Sequence, residues 1–96
     1  MSIQLMIDVW KSDLDRNCKA VALVYADAAS DDGNGIYFSI EYAAWKSGYD
    51  HRSITRILRK LEDLGVLLFL GRSESQTKRY KFVADSLPQR PSWNEY

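Results

Sequence analysis

The segment from Asp50 to Gly65 constrains the fold of this chain more than any other part of the sequence. Apolar residues recur in it at intervals of three and four, which is the spacing of one face of an α-helix. These residues are Ile54, Ile57, Leu58, Leu61 and Leu64. Asp50 is a favourable N-cap residue, and Gly65 stands where a helix commonly ends in a left-handed residue. The pattern predicts an amphipathic helix over residues 51–64, with its apolar side buried.

The other side of this predicted helix is basic. Its candidate DNA-binding residues are His51, Arg52, Ser53, Thr55, Arg56, Arg59 and Lys60. Arginine forks match both the major-groove acceptors of guanine and phosphate oxygens, and a helix N-terminus also suits a phosphate. The alternative is an ordinary solvated helix surface. Such a surface more often mixes both signs, whereas here the first acid, Glu62, follows all four arginines and lysines, so partners for ion pairs are scarce.

The flanking sequence predicts the other elements. A helix of about four turns follows its N-cap Asp15, and a short strand covers residues 36–38. Ser39 then caps a short helix, which a tight glycine-containing turn joins to the basic helix. Two further strands, at residues 66–70 and 78–83, form a hairpin with a polar tip.

The two ends of the chain are less regular. Residues 1–14 are predicted to be an N-terminal extension, residues 15–84 the main domain and residues 85–96 a tail. In the extension, apolar residues alternate as in a strand, although a helical stripe is the alternative. The alternating residues are Ile3, Leu5, Ile7 and Val9, and the helical stripe is Ile3, Met6, Ile7 and Trp10. Because β-branched residues recur, we predict an extended segment.

This order of elements predicts an α+β fold of the winged helix-turn-helix type. It has a three-helix core, a C-terminal β-hairpin wing and an extra N-terminal strand. The second helix of such a pair enters the major groove, and the wing lies along the sugar-phosphate backbone or touches the minor groove. The predicted wing, residues 71–79, supplies Arg72, Lys78 and Arg79 as further candidates.

The charge distribution agrees with a DNA-binding segment, although the chain has no net charge. Residues 1–45 carry three Lys/Arg and seven Asp/Glu, a net charge of −4. Residues 46–81 carry nine Lys/Arg and four Asp/Glu, a net charge of +5, and the last fifteen residues sum to −1. A positive field confined to one segment is what electrostatic docking onto nucleic acid requires.

Several other functions lack the residues they need. Cys18 is the only cysteine and His51 the only histidine, which excludes an internal disulfide and argues against a zinc site. Residues 30–41 resemble a calcium-binding loop, but Ser30 replaces its first carboxylate ligand. No catalytic constellation is present, so we expect no enzyme, cofactor or metal.

The chain also lacks an apolar run long enough for a membrane span, and we expect it to be cytoplasmic. Each tryptophan, Trp45 above all, is expected to pack in the core or at an interface.

Residues 21–67 resemble the winged helix-turn-helix domains of bacterial, phage and plasmid replication initiators and small transcriptional regulators. The resemblance is carried by ADAASDDG at residues 26–33, by Tyr37-Phe38-Ser39, by GYDHRSI at residues 48–54 and by RILRKLEDLGVL at residues 56–67. Phe38 stands where that family usually has proline, and Asp50 where it often has serine. The resemblance implies a DNA-binding module in replication initiation or in transcriptional control of a mobile element.

The sequence therefore supports two functional hypotheses. The leading one is binding of double-stranded DNA by the basic helix and the wing. The other is a winged-helix module for protein–protein interaction or dimerisation, without recognition of bases. In either case the N-terminal segment and the C-terminal tail are candidate contacts of a homodimer, since helix-turn-helix proteins often bind as dimers.

Overall fold

Residues 1–95, which the computed structural model describes, form four α-helices and a three-stranded antiparallel sheet. The helices are α1 (Ile3–Lys11), α2 (Arg16–Ala28), α3 (Ile40–Ser47) and α4 (His51–Asp63). The strands are β1 (Ile36–Tyr37), β2 (Leu67–Arg72) and β3 (Lys78–Phe82), and a 3₁₀ turn covers Ala84–Ser86. The fold is thus α+β, and its order of elements is compatible with a winged-helix layout that has one additional helix.

The N-terminal strand predicted within residues 1–14 is wrong, because this segment forms helix α1. Leu5 and Val9 lie four residues apart, so both reach the same side of the helix and are buried in the core. Ile3 and Ile7 lie on another side and are exposed. The apolar residues that alternate in the sequence therefore lie on two different sides of the helix. Leu5 and Val9 lie on the buried side, and Ile3 and Ile7 on the exposed side.

The start of α1 is joined to the loop that follows α2. The buried Ser2 hydroxyl oxygen accepts a hydrogen bond from the Leu5 amide and donates to Asp31 Oδ1 at 2.8 Å. Two residues further on, Gly33 contacts the sheet through a hydrogen bond of 2.8 Å from the Phe82 amide to its carbonyl. A Cβ atom at Gly33 would lie 2.1 Å from the Phe82 carbonyl oxygen, so only glycine fits this approach.

The predicted helix caps are confirmed. The carboxylates of Asp15 and Asp50 and the hydroxyl of Ser39 each accept a hydrogen bond from the backbone amide three residues later, at 2.8, 2.7 and 3.1 Å respectively. Gly48 ends α3 with a φ of +84°, and Gly65 follows α4 with a φ of +80°. Gly65 thus supplies the left-handed backbone that the sequence predicts there, and Gly48 adopts the same conformation at the end of α3.

Strand β3 lies in the middle of the sheet, between β1 and β2. Phe82 pairs with Leu67, and Tyr80 with Phe69 on one side and Ile36 on the other. The register of β2 against β3 shifts after Phe69, and this irregularity contains Gly71, whose φ is +97°. The core-facing side of the sheet buries Leu67, Tyr80 and Phe82.

Four of the five apolar residues predicted on the buried side of α4 lie in the core, whereas Leu64 follows the end of the helix at Asp63 and is 47% exposed. Ile54, Ile57, Leu58 and Leu61 are all buried, and α4 contacts α2, α3 and β2. Leu87 is also buried, so the beginning of the predicted tail joins the same core. Tyr96, the last residue of that tail, lies outside the described residues.

The tryptophans lie on the surface. Trp10, Trp45 and Trp93 are 61%, 77% and 84% exposed, so of the two places predicted for them, the core and an interface, the core is wrong. Ala43 and Ala44 take up the space between α3 and its neighbours, and Trp45 points to another side of the helix. Its ring lies 5.8 Å from that of Tyr42, measured between centroids.

Candidate nucleic-acid interface

The exposed side of α4 brings its arginines together. Arg52, Arg56 and Arg59 lie at i, i+4 and i+7 and are exposed, and they border a shallow depression of about 400 Å³ together with His51 and Thr55. Because the opposite side of α4 is buried, the helix cannot rotate without exposing its apolar residues. The side of the helix that carries the arginines is therefore fixed relative to the core.

No carboxylate holds these three guanidinium groups. Within residues 1–95, Arg52, Arg56 and Arg59 make no ion pair and no side-chain hydrogen bond. The acids that follow them on α4 have other neighbours. Glu62 lies close to Tyr80, where burial and the Glu62 carboxylate raise the pKa of the tyrosine to about 12.

The first turn of α4 is organised by Asp50. A hydrogen bond from the Ser53 amide lowers the pKa of this carboxyl, and Arg52 and Arg56 lower it further, so a negative charge sits at the helix start. Ser53 is half-buried. The Thr55 hydroxyl donates to the His51 carbonyl at 3.0 Å, which leaves its oxygen lone pairs as acceptors.

His51 connects the exposed side of α4 to the hairpin. Its Nε2 atom lies 3.5 Å from Glu41 Oε1 on α3, and both side chains are solvent-accessible. The same histidine borders a second cleft, of about 370 Å³, together with Arg72 and Lys78 of the hairpin. We call the continuous area formed by Arg52, Arg56, Arg59, Arg72 and Lys78, with His51 between them, the basic surface.

The strand register explains why Arg72 and Lys78 belong to this surface. They pair directly across β2 and β3, so they lie on the same face of the hairpin. Lys78 stands two residues before Tyr80, and its Nζ atom lies 6.0 Å from the ring centroid of Phe69 on that face. Arg72 Nη1 donates to the Gln76 carbonyl at 2.8 Å, which holds the guanidinium against the hairpin tip.

Arg79 and Lys60 lie away from the basic surface, and the half-buried Ser53 lines neither of the two depressions. Arg79 alternates with Lys78 and so lies on the opposite face of β3, where its Nη2 atom donates to the Leu70 carbonyl at 3.4 Å. Lys60 lies on a flank of α4 next to acidic residues. With it, Asp13, Asp15 and Asp63 line one depression, and the Lys60 charge contributes to lowering the pKa of Asp15, after the hydrogen bond from the Cys18 amide.

The structure also adds residues that the sequence does not point to. Ser39, Glu41 and Thr77 line the cleft between α3, α4 and the hairpin. Of these three residues, Glu41 has the largest effect on the charge of the site, because its carboxylate interrupts the positive charge next to His51. It is ten residues away from His51 in the sequence and on another helix, so no local spacing could reveal their contact.

The loop that resembles a calcium site is closed by its own hydrogen bonds. Asp32 accepts from the Ser30 hydroxyl at 2.7 Å and from the Asn34 amide at 2.9 Å, and these bonds lower its pKa to about 2. In the part of the chain that the structure describes, no group of three or more His, Cys, Asp or Glu side chains could hold a metal ion.

The helices within the described residues are too short or too polar to cross a membrane.

Comparison of the chain with protein-family models, with curated proteins and with solved structures finds no match.

Proposed function

We propose that this chain is a winged helix-turn-helix protein that binds double-stranded DNA, with α4 in the major groove and the β2–β3 hairpin along the backbone. The observation that carries the proposal is the basic surface. Its three α4 arginines have no partner within residues 1–95, and the reverse side of their helix is buried. Guanidinium groups that make no ion pair and project from one side of an anchored helix are suited to phosphates and guanine edges.

The dimensions of α4 fit this role. Arg52 and Arg59 are seven residues apart, which corresponds to a rise of about 10 Å along the helix. Since successive base pairs are about 3.4 Å apart, the arginine row spans roughly three base-pair steps. Residues 48–50 separate α3 from α4, a connection of the length found between the two helices of helix-turn-helix proteins.

The hairpin supplies the second contact. Arg72 and Lys78 face the same cleft as His51, at the N-terminal end of α4, so a backbone that follows the groove would pass over both elements. Phosphate contacts of this kind set the position of a protein on DNA, while base contacts provide specificity. We assign the wing to the first task and α4 to the second. The resemblance to replication initiators and small regulators favours a role in replication initiation or transcriptional control of a mobile element.

The experiment is selection of bound duplexes from random DNA, followed by fluorescence anisotropy with the selected site. Arg52→Ala and Arg56→Ala should each cost about 1–3 kcal/mol of binding free energy, and at least one should relax the base preference. Arg16→Ala is the matched control, since Arg16 is exposed at the start of α2 and outside the basic surface. No duplex binding at low salt, or an equal loss with Arg16→Ala, would contradict the proposal.

A second candidate function is a protein-interaction module, and the aromatic residues on and just before α3 favour it. Phe38, Tyr42 and Trp45 follow one another with centroid distances of 5.2 and 5.8 Å, and the last is largely exposed. Tryptophan and tyrosine are enriched at interfaces. Absence of any duplex shift in an electrophoretic assay, together with a mass above that of one chain in light scattering, would favour this function over DNA binding.

A further inference from the structure

One side of α1 is apolar and faces away from the core. Ile3, Ile7 and Trp10 lie at i, i+4 and i+7, so they form one row along the helix, and they are 66%, 38% and 61% exposed. Leu5 and Val9 already fix another side of α1 in the core. Packing within residues 1–95 therefore leaves this row uncovered.

The C-terminal tail extends the same apolar face. The Asp13 amide donates to the Pro88 carbonyl at 3.0 Å, and Arg90 Nε lies 3.4 Å from Asp13 Oδ1. These contacts tie the tail to the end of α1. As a result, Trp10 and Trp93 line one groove of about 620 Å³.

The size of this face is that of an interface. If a whole tryptophan side chain presents about 250 Å², the exposed parts of Trp10 and Trp93 supply roughly 350 Å². The exposed parts of Ile3 and Ile7 bring the apolar area to roughly 500 Å², which matches the apolar share, a little over half, of the about 800 Å² that each partner contributes to a standard protein–protein interface. Monomeric proteins rarely expose contiguous apolar patches of more than a few hundred Å².

We infer that this face binds a second copy of the chain, with the two α1 helices antiparallel across a two-fold axis. Ile3 lies four residues before Ile7, and Trp10 lies three residues after it. An axis beside Ile7 therefore places Ile3 of each copy opposite Trp10 of the other, as a two-fold interface requires. Of the charged residues of α1, Asp8 stands to one side of the row, whereas Lys11 lines the groove beside Trp10 and Trp93, where its flexible side chain can keep the ammonium group in solvent at the rim. This inference does not depend on DNA binding.

The test is sedimentation velocity of the full chain over a wide concentration range. The mass should rise with concentration from 11.1 kDa to twice that value. Ile7→Glu should raise the dissociation constant at least roughly 100-fold, since two unpaired carboxylates would be buried at the axis. Trp45→Glu is the control, a charge at an exposed apolar side chain of α3 outside this face, and should leave the constant unchanged.

A cross-linking experiment keeps the inference testable if Ile7→Glu does not fold. Ile7→Cys should form a disulfide-linked dimer under mild oxidation, since Cys18 is buried and does not compete. Gln4→Cys, on another side of α1, should not. A chain that stays monomeric at every concentration would overturn the inference, as would a dimer that Trp45→Glu disrupts and Ile7→Glu does not.

Discussion

Replacing Arg72 by alanine should flatten the salt dependence of DNA binding, whereas replacing Arg79 in the same hairpin should not. The two arginines are matched in most respects. Each donates to a backbone carbonyl of the hairpin, at 2.8 and 3.4 Å respectively. They differ in the face they occupy, because Arg72 lies on the basic surface and Arg79 on the opposite side of β3.

The magnitude follows from the number of cations on the basic surface. Each phosphate that is neutralised adds about −0.9 to the slope of log K against log salt, so the five arginines and lysines predict a slope of about −4.5. Affinity would then fall roughly 500-fold between about 50 and 200 mM salt. Without Arg72 the slope becomes about −3.6, and the same change in salt costs roughly 150-fold.

The assay is fluorescence anisotropy of a labelled duplex at a series of potassium chloride concentrations, with thermal melting of each variant to confirm that the hairpin is intact. Arg79→Ala should keep the slope of the unmodified protein. A nearly flat salt response of the unmodified protein would refute binding through the basic surface. An equal flattening by Arg79→Ala and Arg72→Ala would refute the assignment of the two faces.

Three further predictions concern stability, measured by urea unfolding. Gly33→Ala should destabilise the fold by about 1–2 kcal/mol through left-handed backbone strain and by a further about 1–3 kcal/mol through contact with the Phe82 carbonyl. Gly48 has a similar φ but open space around it, so Gly48→Ala should show only the cost of backbone strain. Leu61→Ala should cost about 2–5 kcal/mol, because the side chain is fully buried, and a smaller loss would mean that α4 packs loosely. Asp32 has a pKa of about 2 in the folded chain, below its ordinary value of 3.8, so its contribution to stability is present above pH 3.8 and disappears as the pH falls to about 2. Asp32→Asn should remove that part of the pH dependence, and an unchanged pH profile would contradict this role of the loop hydrogen bonds.

The elements with local chemical markers could be predicted from the sequence. Asp15, Ser39 and Asp50 mark helix starts because an oxygen-bearing side chain at that position satisfies an otherwise unpaired amide. Helix α1 has such a marker too, in Ser2, but the alternation of apolar residues after it outweighs the serine in the sequence pattern. The helix is also supported by tertiary contacts that local sequence does not reveal, namely the burial of Leu5 and Val9 and the hydrogen bond from Ser2 to Asp31, 29 positions away.

The candidate site could be predicted only in part, for a similar reason. The row of Arg52, Arg56 and Arg59 follows from helical spacing alone, and the structure keeps it together. The face of the hairpin on which Arg72, Lys78 and Arg79 lie depends on which residues of β2 and β3 pair. The shift of register near Gly71 changes that pairing and cannot be derived from local sequence. Proximity in the sequence therefore groups Arg79 with Lys78, although strand alternation separates them.

The distribution of the acids accounts for a basic surface on a chain with no net charge. Asp13, Asp15 and Asp63 gather around Lys60 on one flank of α4, and Glu62 turns toward Tyr80. Each of these carboxylates is thereby drawn away from the arginine row, although two of them lie on the same helix. A DNA molecule that approaches the arginines experiences the local field rather than the sum over the chain. The zero net charge is consequently a weak argument against nucleic-acid binding, because these four acids lie away from the arginine row and, within residues 1–95, only Asp50 and Glu41 border the basic surface.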